Sequence, residues 1–163
     1  ISTIWPFNTF GPRQSLRAVI PTIISQSLAS KYIKLGNINS SRDLTFIDDT
    51  VNGFISSINN KASFGKFINL GTNSEVSIKK IVSLISSILG KDLKIQLDKK
   101  RIRPKNSEVQ RLLASNNLAK KVLKWKPKYS SKKGLILALE KTVNWYQDNL
   151  KRIDTNNKNK YII

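Results

Sequence analysis

Two periodicities of apolar residues divide the chain into short strands and amphipathic helices. Residues 1 to 8 are largely apolar, with β-branched Ile1, Thr3 and Ile4, the pattern of a strand covered on both faces. From 18 to 30 the period lengthens: Ile20, Ile23, Ile24 and Leu28 fall on one helical stripe, and Pro21 suits the first turn. Tyr32 to Leu35 reads as a short strand, closed by a turn-rich loop over 36–41 that leads into Arg42. Leu44 to Ile47 is strand-like, and Asp48 or Asp49 is placed to cap or balance the dipole of a helix through Val51, Phe54, Ile55 and Ile58. Phe67 to Leu70 is a further strand, turning at Gly71. Ser77 then caps a helix carrying Ile78, Ile81, Val82, Ile85, Ile88 and Leu89 on one side, ending at Gly90.

Beyond it, Lys94 to Leu97 alternates as a strand with one wet face, and 98–107 is a polar, proline-bearing loop with Arg101 and Arg103. Helices are expected at about 108–114, 116–124 and 131–150, the last aligning Leu135, Ala138, Leu139, Thr142, Val143, Tyr146 and Leu150. From Lys151 the chain is rich in Asn and Lys and is expected to fray. Strands alternating with helices place the chain in the α/β class.

Composition narrows the chemistry. The 163 residues include no Met, and Ile1 opens inside an apolar run, so the chain reads as an excerpt from a longer protein. No apolar run approaches the length of a membrane span, and no leader pattern stands at the start. A cytoplasmic setting is expected. Without Cys there are no disulfides or thiolate metal sites, and without His the commonest general base is missing. Proton transfer would fall to Tyr, Lys, Asp or Glu.

The formal charge of +19 raises nucleic acid as a partner. The densest basic run is Lys120, Lys121, Lys124, Lys126, Lys128, Lys132 and Lys133, interleaved with Trp125 and Tyr129. Aromatics among cations suit single-stranded nucleic acid or an anionic surface. Leu118, Ala119, Val122 and Leu123 nevertheless recur at core spacing through the same run, which leaves its lysines on a solvated face.

The stretch with most chemical promise is Pro6-Phe7-Asn8-Thr9-Phe10-Gly11-Pro12-Arg13-Gln14-Ser15. It reads as a strand end, an exposed loop and the approach to a helix, so Asn8 stands where α/β proteins hold ligands. The local alternative is a turn Asn bonded to nearby backbone. Three later stretches follow in order: Ser41-Arg42-Asp43-Leu44-Thr45-Phe46-Ile47-Asp48-Asp49, Phe67-Ile68-Asn69-Leu70-Gly71-Thr72 and Arg103-Pro104-Lys105-Asn106-Ser107-Glu108-Val109, with Trp125-Lys126-Pro127 closing the series. Together they resemble the substrate-binding half of extended short-chain dehydrogenase/reductases of the NAD-dependent epimerase/dehydratase family, which act on UDP-, dTDP- and GDP-sugars.

The resemblance implies a fold and a division of labour. Residues 1–16 would be the final strand and loop of a Rossmann-type dinucleotide-binding domain, 17–150 a small α/β substrate-binding lobe, and 151–163 a basic tail. The enzymes it points to oxidise a nucleotide sugar at C4 with NAD, then either eliminate water across C5 and C6 or return the hydride to the opposite face. NAD would be held mainly by an N-terminal half outside this chain, and homodimers are usual in the family.

A nucleotide sugar offers a diphosphate, and a guanidinium fork holds such a group with paired, charged hydrogen bonds. Arg17, Arg42 and Arg103 fall on loops or helix starts toward the expected cleft. By resemblance, Asn8 would contact diphosphate or sugar, Val19 and Ile20 would lie beside the base through their backbones, and Arg42 and Arg103 would clamp phosphates and ribose, with Asn69 near them and Asn106 close by. The alternative for Arg42 and Arg103 is an ion pair with Asp43, Asp49 or Glu108.

The chemistry that acts on the sugar is not in the sequence. None of the seven glycines builds a G-x-x-G-x-x-G turn, and the family's Tyr-x-x-x-Lys pair would precede Pro6. Tyr129-Ser130-Ser131-Lys132-Lys133 fits that spacing, yet about 0.5 such matches arise by chance in this composition. Tyr129 also precedes the expected cap Ser130, so the two side chains would not share a helix face. Four departures from the family pattern stand out: Trp5 for arginine, Ser115 for aspartate, Lys124 for glycine, and Lys132 and Lys133 where acids are usual.

Overall fold

The structure is a computed structural model that describes residues 1–102, 104 and 108–157. Among the described residues nine short strands and four α-helices alternate, as expected of an α/β chain. Strands β1 (Thr3–Pro6) and β6 (Phe67–Leu70) pair in parallel, as do β2 (Thr9–Phe10) with β5 (Thr45–Phe46), and β3 (Tyr32–Leu35) with β8 (Lys94–Leu97). Strand β4 (Ser41–Arg42) is the centre of a three-stranded sheet, antiparallel to β7 (Val76–Ser77) and parallel to β9 (Arg111–Leu112).

Helices α1 (Val19–Ala29), α3 (Ile78–Leu89) and α4 (Lys132–Asn157) pack on one another around the main core. Ile20, Ile23 and Ile24 of α1 meet Ile81, Val82 and Ile85 of α3 and Leu139, Val143 and Tyr146 of α4, all buried in one cluster. Burying a side chain of this size contributes about 1.5–3 kcal/mol. A second cluster joins Ile68 and Leu70 of β6 to Ala119, Leu123 and Trp125.

Helix α3 forms where its termini specify it: Ser77 Oγ accepts from Lys80 N at 3.2 Å, and Gly90 ends it in the left-handed region at φ 61°. Helix α2 (Ile47–Ser57) departs from expectation. It starts so early that Asp48 and Asp49 lie within its first turn, and no side chain caps it. The Asp49 carboxylate instead accepts from Lys128 N at 2.7 Å and Tyr129 N at 2.9 Å, while Asp49 O accepts from Trp125 Nε1 at 2.9 Å. Burial pushes this carboxyl above the ordinary aspartate range, partly offset by those two N–H donors.

Three further expectations are corrected. The opening strand is shorter than residues 1–8 and is not covered on both faces: β1 pairs with β6 alone, leaving Trp5 62% and Phe67 68% exposed. Residues 108–114 are not helical, because β4 recruits them as a strand through Ser41 N to Gln110 O and Asp43 N to Leu112 O, each 2.8 Å. The helix expected over 116–124 is present, wound as a π-helix over Ala119–Leu123. At the far end, α4 continues to Asn157 where fraying was expected from Lys151. Its cap is Ser131, whose Oγ accepts from Gly134 N at 3.0 Å.

Lys124 ends the π-helix at φ 54°, a conformation that costs an L-residue roughly 1–2 kcal/mol. Lys124→Gly should therefore raise stability by about 0.5–1 kcal/mol after the added unfolded-state entropy of glycine. Thermal melting should record a rise of about 1–4 °C, and an unchanged or lower Tm would contradict the strain. Tyr146 donates its hydroxyl proton to Gln14 O, and burial raises its pKa from 10.0 to about 12. The contribution is present below pH 10 and lost as pH rises toward 12, where the unfolded chain ionises first. The stability gap between wild type and Tyr146→Phe should narrow across that window; a constant gap in pH-dependent melting would contradict it.

Candidate functional site

The loop leaving β2, the start of α1, the loop after β3 and strand β4 surround a cavity of about 500 Å³. The fold brings five of the expected residues to its wall: Asn8, Arg17, Val19, Ile20 and Arg42. Asn69 does not reach it. It lies in β6 opposite Trp5, between the buried Ile68 and Leu70 that turn toward the second core cluster. Arg103 and Asn106 lie outside the described residues.

Each wall group has a structural reason for its place. Asn8 follows β1, and its Nδ2 donates to Asp43 O at 3.3 Å, tying the first loop to the end of β4. Arg42 is half-buried in the central strand, where Nη1 donates to Ser41 O at 2.8 Å and Nη2 stands 4.0 Å from Glu108 Oε1. Of the three acidic partners considered for Arg42, Glu108 is the one in range. Asp43 directs its carboxylate to other donors: Thr72 N at 2.7 Å, Thr72 Oγ1 at 2.6 Å, Asn73 N at 3.0 Å and Ala114 N at 3.2 Å.

The cavity also touches the uncapped N-terminus of α1, where Ala18, Val19 and Ile20 lie on its wall and the first turn carries no acid. The backbone N–H groups of Val19 and Ile20 and the helix dipole there favour an anion, while Pro21 has no N–H to offer and Thr22 N bonds Ala18 O. Arg101 joins the wall although Arg103 was the expected partner of Arg42. A 3₁₀ turn at Lys99–Arg101, capped by Asp98, presents it, and Arg101 Nε donates to Asp98 Oδ2 at 3.2 Å. Gly36 lies against Arg101 O so closely that a side chain would displace this segment. Nothing local in the 98–107 loop distinguished the two arginines.

Glu108 is the one carboxylate on the described wall, and its Oε1 also accepts from Asn37 Nδ2 at 3.2 Å. Three guanidinium groups against one carboxylate give the cavity net positive charge. The arrangement suits a polyanion with hydroxyls: cations and backbone N–H groups for the charge, Glu108 and Asn37 for the hydroxyls.

Elsewhere the chemistry is structural. Lys120, Lys121, Lys124, Lys126, Lys128, Lys132 and Lys133 are all exposed and none lines the cavity. The Tyr129 hydroxyl accepts from Lys141 Nζ at 2.7 Å, not from Lys132 or Lys133. No group of His, Cys, Asp and Glu able to hold a metal occurs among the described residues, and none of their helices is long and apolar enough to cross a membrane.

Parallel strand pairs with crossover helices and a cationic cavity beyond the strand ends define the C-terminal half of a Rossmann-like epimerase or dehydratase. Comparison with known proteins agrees. The GDP-mannose 4,6 dehydratase family model matches residues 1–136, and the chain belongs to that family. It is 31% identical over 155 residues to a UDP-glucuronate 4-epimerase of Thermodesulfobacterium geofontis, covering 94% of this chain and 45% of that one.

Among solved structures it resembles the UDP-glucuronic acid 4-epimerase of Bacillus cereus, in complex with UDP-glucuronic acid and NAD, with TM-score 0.78 and 25% identity over 89% of this chain and 44% of that one. It also resembles the dTDP-glucose 4,6-dehydratase of Bacillus anthracis, in complex with NAD, with TM-score 0.75 and 25% identity over 91% and 45%. The chain thus spans about 45% of the length of the curated relative it matches.

Proposed function

We propose that the cavity holds the nucleotide diphosphate of a nucleotide sugar, as the substrate-gripping part of an NAD-dependent 4-epimerase or 4,6-dehydratase. The observation that carries this reading is the convergence of Arg17, Arg42 and Arg101 with Asn8 on one cavity at the start of α1. Arg42 and Arg17 hold the phosphates, the backbones of Val19 and Ile20 flank the base, and Glu108 accepts from ribose hydroxyls. Arg103 keeps the clamping role on phosphates and ribose that family resemblance gives it, and Asn106 and Asn69, the latter from outside the cavity wall, keep the lesser places beside that clamp. Anchoring the diphosphate fixes the sugar, so binding energy remote from the reacting carbon serves positioning there.

The described residues do not themselves build a dinucleotide cradle: no glycine-rich turn joins a strand to a helix start in this chain. We therefore assign NAD, the acid-base groups and homodimer contacts to other segments of the whole protein, and expect this chain alone to be inactive. Two exposed apolar features support such a covering half. One is Trp5 beside Phe67, ring centroids 6.3 Å apart; the other is the outer stripe of α2, Val51, Phe54 and Ile55, with Ile58 just past its end. Surfaces of this kind ordinarily face another layer.

Titration calorimetry with UDP, GDP and dTDP should detect binding to the chain. Arg42→Ala should weaken it by about 10- to 100-fold, the loss of one charged hydrogen-bonding group. An oligonucleotide bound more tightly than any nucleoside diphosphate, with steep salt dependence, would instead favour a basic module using residues 120–133. Glu108→Gln should separate the roles within the site. It should tighten inorganic pyrophosphate by up to about fivefold, since an ion pair of this kind contributes about 1 kcal/mol at most, while weakening the ribose-bearing nucleotide. Parallel changes for both ligands would contradict the assignment of Glu108.

A further inference from the structure

We infer that Asp43 is a positioning residue for the diphosphate grip, acting through Arg42 and Asn8 without lining the cavity; this rests on the reading of the cavity given above. Asp43 is fully buried, and no Lys or Arg pairs with it in any described ion pair. Its carboxylate gathers four neutral donors from two separate segments: Thr72 N, Thr72 Oγ1 and Asn73 N after β6, and Ala114 N after β9. Its main chain makes two further bonds, with Asp43 N donating to Leu112 O at 2.8 Å and Asp43 O accepting from Asn8 Nδ2 at 3.3 Å. One residue therefore ties the turn after β6 and the end of β9 to the strand that carries Arg42, and holds the cavity amide of Asn8.

The surroundings are built for a carboxylate. Gly71 approaches so closely that a Cβ there would strike the Ala114 side chain and stand 3.0 Å from Asp43 Oδ2. Asn73 holds φ 59°, the left-handed region, which turns its N–H onto Asp43 Oδ2. An ionised carboxylate offers acceptors at both oxygens, whereas the isosteric carboxamide offers one and sets an NH₂ against the remaining donors. Asp43→Asn would thus keep shape and lose the clasp. The guanidinium of Arg42, on the adjacent residue of β4, would then lose its fixed height in the cavity, and a displacement of about 1 Å suffices to weaken a bidentate grip.

The test is a double-mutant cycle on the full chain, with UDP, GDP and dTDP as probes and far-UV circular dichroism to establish that each variant is folded at the titration temperature. Asp43→Asn should weaken the nucleoside diphosphate by about tenfold or more in the wild-type background and by less than about twofold once Arg42 is Ala, because the two act through one contact. Equal losses in both backgrounds, or unchanged affinity in folded Asp43→Asn, would overturn the positioning role while leaving the diphosphate reading intact. Should Asp43→Asn fail to fold, Thr72→Val, which removes one donor to Oδ1 together with the hydroxyl's bonds to Ser74 O and N, takes its place in the cycle with the same pattern expected at about two- to threefold. Failure of the wild type to bind any of the three probes would overturn the reading of the cavity and the role of Asp43 with it.

Discussion

Strand β4 is two residues long, yet the cavity depends on where it is held. Ser41 and Arg42 pair on one side with β7 and on the other with β9, so the Arg42 backbone has no freedom to slide or twist. A guanidinium at the end of a flexible stem would lose much of its binding energy to ordering. Here the stem is already ordered, with the side chain 17% exposed and one Nη spent on its own strand at Ser41 O. The remaining face of the group looks into a space bounded by a helix start and two further arginines.

The helical layer exists to hold that strand and helix start in register. Tyr146 of α4 reaches back to Gln14 O in the loop before α1, and the same cluster packs α1 on α3 and α4. Asp49 performs an equivalent task elsewhere, joining α2 to the backbone of residues 128 and 129. Both interactions place a polar group in apolar surroundings and satisfy it with main-chain partners, which is how a small lobe with modest core volume obtains a single arrangement. The β1–β6 pair is tied in more lightly, through a second, smaller core, and presents its other face to solvent.

How much of this the residues disclosed in advance follows from how local each interaction is. Helix α3 was legible to its ends because Ser77 and Gly90 carry their signals within one turn of the helix. Arg42 and Asn8 were singled out because their neighbouring residues match a family pattern, and Arg17 because an arginine at a helix start suits an anion; the fold places the three on one wall. The role of Asp49 was not legible: a carboxylate at a helix start reads as a cap, while its partners lie 79 and 80 residues away. Strand β9 was hidden for the same reason, since two residues have no period and their partner is β4, far back in the chain. Arg101 escaped because a polar loop with two arginines gives no local ground for choosing between them. Lys124 is the reverse case, a departure from a glycine pattern whose meaning became plain only once its φ of 54° was seen.

The cavity's purpose can be read most directly from the side-chain Nε–H signals of the seven arginines in a ¹⁵N-resolved NMR titration with a nucleoside diphosphate. Signals from Arg42, Arg17 and Arg101 are expected to shift together and saturate at one equivalent, with the backbone amide signals of the lysine-rich face over 120–133, followed in the same titration, unaffected. Shifts confined to that lysine face, with the three arginine signals unmoved, would contradict a diphosphate site in this cavity.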